Sequence, residues 1–174
     1  MIYICKVKSP VGLIHVASDG KNIIGLWIQG QKYFAKTIEG NIKEENLPVF
    51  EKVKKWLDIY FTGEAPSFLP PLAPKGSKFR EQVWKKLLDI PFGKTTTYGE
   101  IAKQLEKELK GKRVSAQAVG GAVGHNPISI IIPCHRVIGA DGSLTGYAGG
   151  LDKKVKLLKN EKVEFRKGWL EYEN

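Results

Sequence analysis

The sequence predicts an α+β chain with a small antiparallel sheet domain over residues 1–76 and a mainly helical domain over 77–174. Three observations predict it. β-Branched and aromatic residues are enriched over the first 30 residues, as strands prefer. From residue 47 the apolar residues recur at helical spacing. Between the two regimes, "APSFLPPLAPKGS" (65–77) holds four prolines and one glycine. Proline removes backbone donors and restricts the residue before it, so this stretch reads as an extended linker and marks the boundary.

In chain order, "MIYICKVK", "GLIHVAS" and "NIIGLWIQ" read as three strands, with "SDGKN" (18–22) as a turn that uses glycine's access to positive φ. "LPVFEKVKKWLDIYFTGE" (47–64) sets Phe50, Val53, Trp56, Leu57, Tyr60 and Phe61 on one helical stripe, with Gly63 as its stop. "SKFREQVWKKLLDI" (77–90) is a second helix, with Phe79, Val83, Leu87 and Leu88 to one side, followed by the turn "PFGKT" (91–95). "TYGEIAKQLEKEL" (97–109) opens with Thr97 and carries Glu100 three residues on, the spacing of a capping box. The basic turn "KGKR" (110–113) and a short helix at 115–124, capped by Ser115, complete a helix-turn-helix pattern. Ala116, Ala118, Gly120, Gly121, Ala122 and Gly124 make that helix very small in side chain. Each glycine costs it about 1 kcal/mol relative to alanine, which suits close approach by another backbone, whether a neighbouring helix or a nucleic-acid groove. "HNPISIIIPCHRV" (125–137) starts with a helix stop and continues as an apolar extended segment. A glycine-rich loop (139–150) and a last helix (151–161), with Leu151, Val155 and Leu158 inward, complete the chain's elements.

Bulk composition narrows the function classes. The longest apolar run, near 128–132, is too short to span a bilayer, and Lys6 and Lys8 interrupt the place where a signal peptide would be apolar. A soluble cytoplasmic protein is expected. Two cysteines, Cys5 and Cys134, do not make a disulfide framework. The net charge is +10, of which residues 77–174 contribute +7, so a polyanion such as nucleic acid is a plausible partner for the second half.

The chemistry centres on Cys134, beside His135. A thiolate is a nucleophile, and a nearby base or cation raises its fraction above that of free cysteine. Neighbours in an extended segment point to opposite sides, so His135 needs a turn or a bridging water to act on the sulfur. A third group, usually a carboxylate, must orient the imidazole, and the spacing does not choose among the chain's 18 acids. No C-x-x-C or H-x-x-x-H spacing is present, so no metal site is expected.

"PCHRV" (133–137) resembles the active-site motif of the O6-alkylguanine-DNA alkyltransferases. "FREQVWKKLLDIPFGKTTTYGEIA" (79–102), "AVGGAVGHNP" (118–127), "IPCHRVIGADGSLTGYAGGLDKK" (132–154) and "LLKNE" (157–161) fit that family's C-terminal domain in order. The resemblance implies a ribonuclease H-like N-terminal domain and a winged helix-turn-helix. It implies direct DNA repair: an alkylated guanine is flipped from duplex DNA and its alkyl group moves irreversibly to the cysteine, in a suicide methyltransferase reaction without cofactor. Carried over, Cys134 attacks, His135 acts through a water, Glu161 orients His135, Asn126 braces the loop and Tyr98 serves the departing guanine. Ser115, Ala116, Gln117 and Gly120 on the recognition helix, together with Arg136, Val137, Tyr147, Ala148 and Gly149, would bind DNA or the flipped base. The implied partner is double-stranded DNA with O6-alkylguanine, with O4-alkylthymine as a second substrate, and a monomer is expected.

Three positions depart from the family pattern. Gln117 stands where an intruding arginine is common, Ala148 where some members carry a serine donor, and Ser129 where some carry a pocket-lining proline. O6-Benzylguanine should therefore inactivate this protein more slowly than a proline-bearing homologue. Parallel inactivation time courses check this, and equal rates would refute it.

Overall fold

The structure, a computed structural model, describes residues 1–164. The chain divides into two compact units, Met1–Lys75 with Pro127–Ser129, and Gly76–Asn126 with the residues from Ile130 onward. No described helix is long and apolar enough to cross a membrane.

The first unit is built on a four-stranded sheet of order β3-β2-β1-β4. Strands β1 (Ile2–Val7), β2 (Ile14–Ser18) and β3 (Ile23–Ile28) coincide with the β-branched runs and pair antiparallel. Asp19 makes the β2–β3 turn by accepting from Lys21 N and Asn22 N. The sheet is mixed, however, not wholly antiparallel. A fourth strand, β4 (Ile42–Glu44), pairs in parallel with β1. Its three residues are all exposed, so it lacks the alternation that marks a half-buried strand.

Strand β3 is buried at every position. The "linker" contributes to this: it is extended, but it docks on β3, with Ile23 N donating to Pro71 O (2.7 Å) and Ala73 N to Ile23 O (2.8 Å). Gly25 is required by close approach. A Cβ there would lie 1.9 Å from the Trp27 indole, which folds back over it. Helix α1 (Pro48–Tyr60) has proline in its first turn, where a missing N–H costs nothing, and buries Phe50, Val53, Trp56, Leu57 and Tyr60.

The second unit is helical. In α2 (Lys78–Leu88) the cap is Ser77, whose side chain accepts from Arg80 N. The buried face is Val83, Trp84 and Leu87, whereas Leu88, expected inward, is 37% exposed. Strand β5 (Thr96–Thr97) leads into α3 (Tyr98–Glu108), and Thr97 Oγ1 accepts from Glu100 N at 3.1 Å. The Glu100 carboxylate turns outward to Lys103 (3.7 Å), so only half of the capping box forms. After a turn with Lys110 and Gly111 at positive φ, Ser115 caps α4 (Ala116–Gly124) by accepting from Ala118 N. Helices α2, α3 and α4 pack on one another. The strand part of the winged motif is a two-residue parallel pair between β5 and β6 (Val137–Ile138). Helix α5 (Leu151–Asn160) buries Lys154, Val155, Leu157 and Leu158.

Trp84 anchors the α2–α4 contact. It is 1% exposed, and its Nε1–H donates to Ala122 O at 2.8 Å. Trp84→Ala removes both the ring and that bond, and should destabilise the protein by about 3–5 kcal/mol. Denaturant unfolding of the variant checks this.

Candidate active site

The loop that presents Cys134 starts where α4 stops. Asn126 N donates to Val123 O (3.2 Å), and its side-chain Nδ2 donates to Ile132 O (2.9 Å), closing residues 126–132 into a compact loop. Ile130 lies inside it, fully buried, at φ +71°. A β-branched residue in the left-handed region is strained by about 1–3 kcal/mol. The expected extended run is therefore a set of turns. Its apolar residues are buried because the loop itself lies in the core, a case that periodicity cannot separate from a strand.

Past Pro133 the backbone tightens further. Cys134 N donates to Ile132 O (2.8 Å), and Cys134–Arg136 form one 3₁₀ turn. Side chains in such a turn are about 120° apart, not on opposite sides as in a strand. Three consecutive chemistry-bearing side chains thus fan out from one turn, and all are buried.

His135 points at Glu161, the C-cap residue of α5, with Nε2 2.5 Å from Oε2. The other carboxylate oxygen accepts from Arg136 Nε (2.8 Å) and Gly93 N (2.9 Å). Burial opposes ionisation of Glu161. The bond from His135, the Arg136 charge and the Gly93 N–H outweigh burial and hold its pKa down at about 2. For His135, burial prevails over the carboxylate and lowers the pKa, so the imidazole is neutral near neutral pH. Against an ionised Glu161, Nε2 must carry the proton. That leaves the Nδ1 lone pair as the proton acceptor.

The Cys134 thiol is 5% exposed, and burial pushes its pKa up. Against burial act the nearby Asn126 amide, the charge of Lys154 and the Tyr147 hydroxyl, each of which favours the thiolate. Lys154 is a buried cation on α5 whose Nζ donates to Val137 O (2.7 Å) and Thr145 O (3.0 Å). No described carboxylate forms an ion pair with it. Burial lowers its pKa to about 8, and the charge on Cys134 acts in the opposite direction. Tyr98, at the start of α3, has its pKa raised by burial and, to a smaller extent, by the charge on Cys134, and its hydroxyl lies 2.8 Å from Thr145 Oγ1. The site thus offers a nucleophile, a base oriented by a carboxylate, a fixed cation and a hydroxyl donor. Among the described residues no group of three or more His, Cys, Asp or Glu could hold a metal ion.

Cys134, His135, Glu161, Asn126, Tyr98 and Tyr147 come together here. Ser115, Ala116 and Gln117 lie at the exposed start of α4, and Gly120 sits beside the Tyr98 ring. Ala148 and Gly149 are half-buried in the loop before α5. Arg136, expected to bind DNA, is corrected to an internal role. Its guanidinium is spent on Glu161 and on Ile90 O (2.6 Å), above the Phe92 ring. Val137 is likewise buried, and its carbonyl accepts from Lys154. Sequence reasoning misses Lys154, Gly93 and Thr145. Lys154 carries a signal: a lysine three residues past Leu151 falls on the inward stripe of α5.

Residues 78–163 match the family of the 6-O-methylguanine DNA methyltransferase DNA binding domain, and residues 2–74 match that of its ribonuclease-like domain. The methylated-DNA–protein-cysteine methyltransferase of Methanosarcina mazei is 46% identical over 155 residues, covering 89% of this chain and 94% of that one. Its namesake from Haemophilus influenzae is 41% identical over 165 residues, covering 94% and 88%. The crystal structure of Mycobacterium tuberculosis OGT in complex with DNA superposes with a TM-score of 0.80 at 41% identity, covering 92% of each chain.

At neutral pH Lys154→Met removes a cation that favours the Cys134 thiolate. In a Cys5→Ser background, iodoacetamide should alkylate Cys134 at pH 7 more slowly than in the Lys154-containing protein, and an unchanged rate refutes the coupling.

Proposed function

The chain belongs to the 6-O-methylguanine DNA methyltransferase family, and on that premise we propose that it repairs alkylated DNA by transferring the alkyl group of O6-alkylguanine to Cys134. The observation that carries the proposal is a buried thiol on the same 3₁₀ turn as His135 and Arg136, both of which bond the buried carboxylate of Glu161.

His135 Nδ1 takes the thiol proton, directly or through a water, and Lys154 holds the resulting negative charge. The sulfur attacks the alkyl carbon, a C–S bond forms, and the C–O bond breaks with its electron pair left on the guanine. The Tyr98 hydroxyl donates toward the departing base, which offsets the developing charge. Positioning supplies much of the rate, because the reactants are held rather than met by collision. The product is a thioether, which water does not cleave, so each molecule reacts once and needs no cofactor. O4-Alkylthymine offers the same alkyl–oxygen bond and is a second substrate of this reading.

The target base must leave the duplex to reach a thiol that is 5% exposed. Extrusion costs a few kcal/mol, least for a damaged, poorly paired base. Helix α4 suits delivery. Ser115 to Ala118 are exposed, and a Cβ added at Gly121 or Gly124 would meet nothing within 4 Å. Internal packing therefore does not require those two glycines, and on this reading they let a DNA backbone come close. Gln117 can fill the vacated stack and hydrogen-bond there without charge. Ser115, Ala116, Gly120, Tyr147, Ala148 and Gly149 complete the contact set, and basic residues at 107–113 meet phosphates. The reading includes a monomer in the cytoplasm, which the two free thiols suit.

The test mixes the protein with duplex DNA carrying O6-methylguanine, and then measures intact mass and maps peptides. One methyl per protein, on Cys134, is expected. Binding without a mass change would indicate a damage-recognition protein, and repeated product release per molecule a hydrolase; either overturns the proposal. In the same assay Tyr98→Phe should slow transfer about 100-fold.

A further inference from the structure

We infer that Gln31, far from the thiol in sequence, is a positioning residue for Cys134. The inference rests on the alkyl-transfer reading and adds a residue that the chemistry does not touch. Gln31 lies just past β3 and is 6% exposed. Its Oε1 accepts from two donors, Ile28 N at 2.7 Å and Ser129 Oγ at 3.1 Å. The first bond closes the end of β3. The second ties down the segment Pro127–Ser129, which lies along the same strand. Leu26 N donates to Pro127 O (2.8 Å), Ser129 N donates to Leu26 O (2.9 Å), and Leu26 and Ile128 form a parallel bridge.

The tie matters because of the residues on the far side of Ser129. The next is Ile130 at φ +71°, and the chain then reaches Ile132, whose carbonyl Asn126 holds, and Cys134. The strained residue thus sits between two anchors, the β3 attachment on one side and the Asn126 bond on the other. A β-branched residue keeps a left-handed conformation only where its surroundings over-determine it. Without the Gln31 acceptor, Ile28 N and Ser129 Oγ would both be buried and unsatisfied. The escape at least cost is for residues 127–129 to shift toward other acceptors. Ile130 would then relax toward negative φ, and that rotation would carry the Cys134 turn with it. Gln31 therefore holds the nucleophile in register through a chain of backbone contacts.

The test uses the full chain with Gln31→Met, Ser129→Ala and the double variant. Three quantities are measured: the methyl-transfer rate at saturating O6-methylguanine duplex, the affinity for undamaged duplex, and the rate at which iodoacetamide alkylates Cys134 in the free protein. Gln31→Met should slow transfer at saturation by about tenfold or more, since small misplacement of a reacting group is costly. Affinity for undamaged duplex should stay unchanged, and iodoacetamide labelling should change as well. Ser129→Ala should act in the same direction, and the double variant should be no slower than Gln31→Met alone, because both act through one bond. A variant that melts earlier but keeps both rates makes Gln31 merely structural and overturns the inference. Affinity and rate falling together overturn it too. Should the unmutated protein fail to transfer methyl, the repair reading falls, and the iodoacetamide arm still decides the role of Gln31.

Discussion

A single buried carboxylate organises the catalytic half of this molecule. Glu161 ends α5, and three donors reach it from two other segments: the imidazole of His135, the guanidinium of Arg136 and the main-chain N–H of Gly93. Each donor alone would leave the carboxylate short of the hydrogen bonding that a buried charge requires. Together they fix the 91–95 turn, the 3₁₀ turn that begins at the nucleophile, and the end of α5. The same arrangement sets the chemistry. A carboxylate held ionised dictates which imidazole nitrogen carries the proton, and therefore which one can receive another.

Lys154 is a second organising charge, and it has a different logic. A lysine taken out of water and bonded to carbonyls, with no described carboxylate beside it, opposes folding unless something else requires it. Its bonds join β6 to the loop before α5 through Val137 and Thr145, and Thr145 in turn meets Tyr98. One cation thus links the strand after Cys134 to the loop residue that meets the Tyr98 hydroxyl. Arg136 and Lys154 serve the site from inside, so the positive charge available to DNA comes from residues other than these two.

Much of this is legible in the sequence where local rules decide structure. Thr97 and Ser115 mark helix starts because a side-chain oxygen satisfies an orphan N–H whatever the tertiary context. The β-branched runs of β1 to β3 and the stripe of α1 are equally plain. The failures have physical causes. Strand β4 is a short exposed edge held by pairing alone, and leaves no hydrophobic period. The run before Cys134 is apolar because it is internal, and internal turns look like strands when only polarity is read. Arg136 is expected against DNA through the resemblance alone. Nothing local announces that Ile90 and Glu161, 46 and 25 residues away, will claim its guanidinium. The joining of Cys134, His135 and Glu161 is legible only through resemblance, since no spacing rule chooses one acid from many.

The burial of Cys134 has a meaning beyond aim. A reagent that works once must reach its target unspent, sometimes long after synthesis. Oxidants and stray electrophiles select thiols that are exposed and ionised. This one is 5% exposed and its pKa is pushed up by burial, so at rest it is the wrong species in the wrong place for them. The features that make the sulfur sluggish toward the solvent are those that a bound base must overcome. The fold acts as a container with a long shelf life, opened by one kind of key.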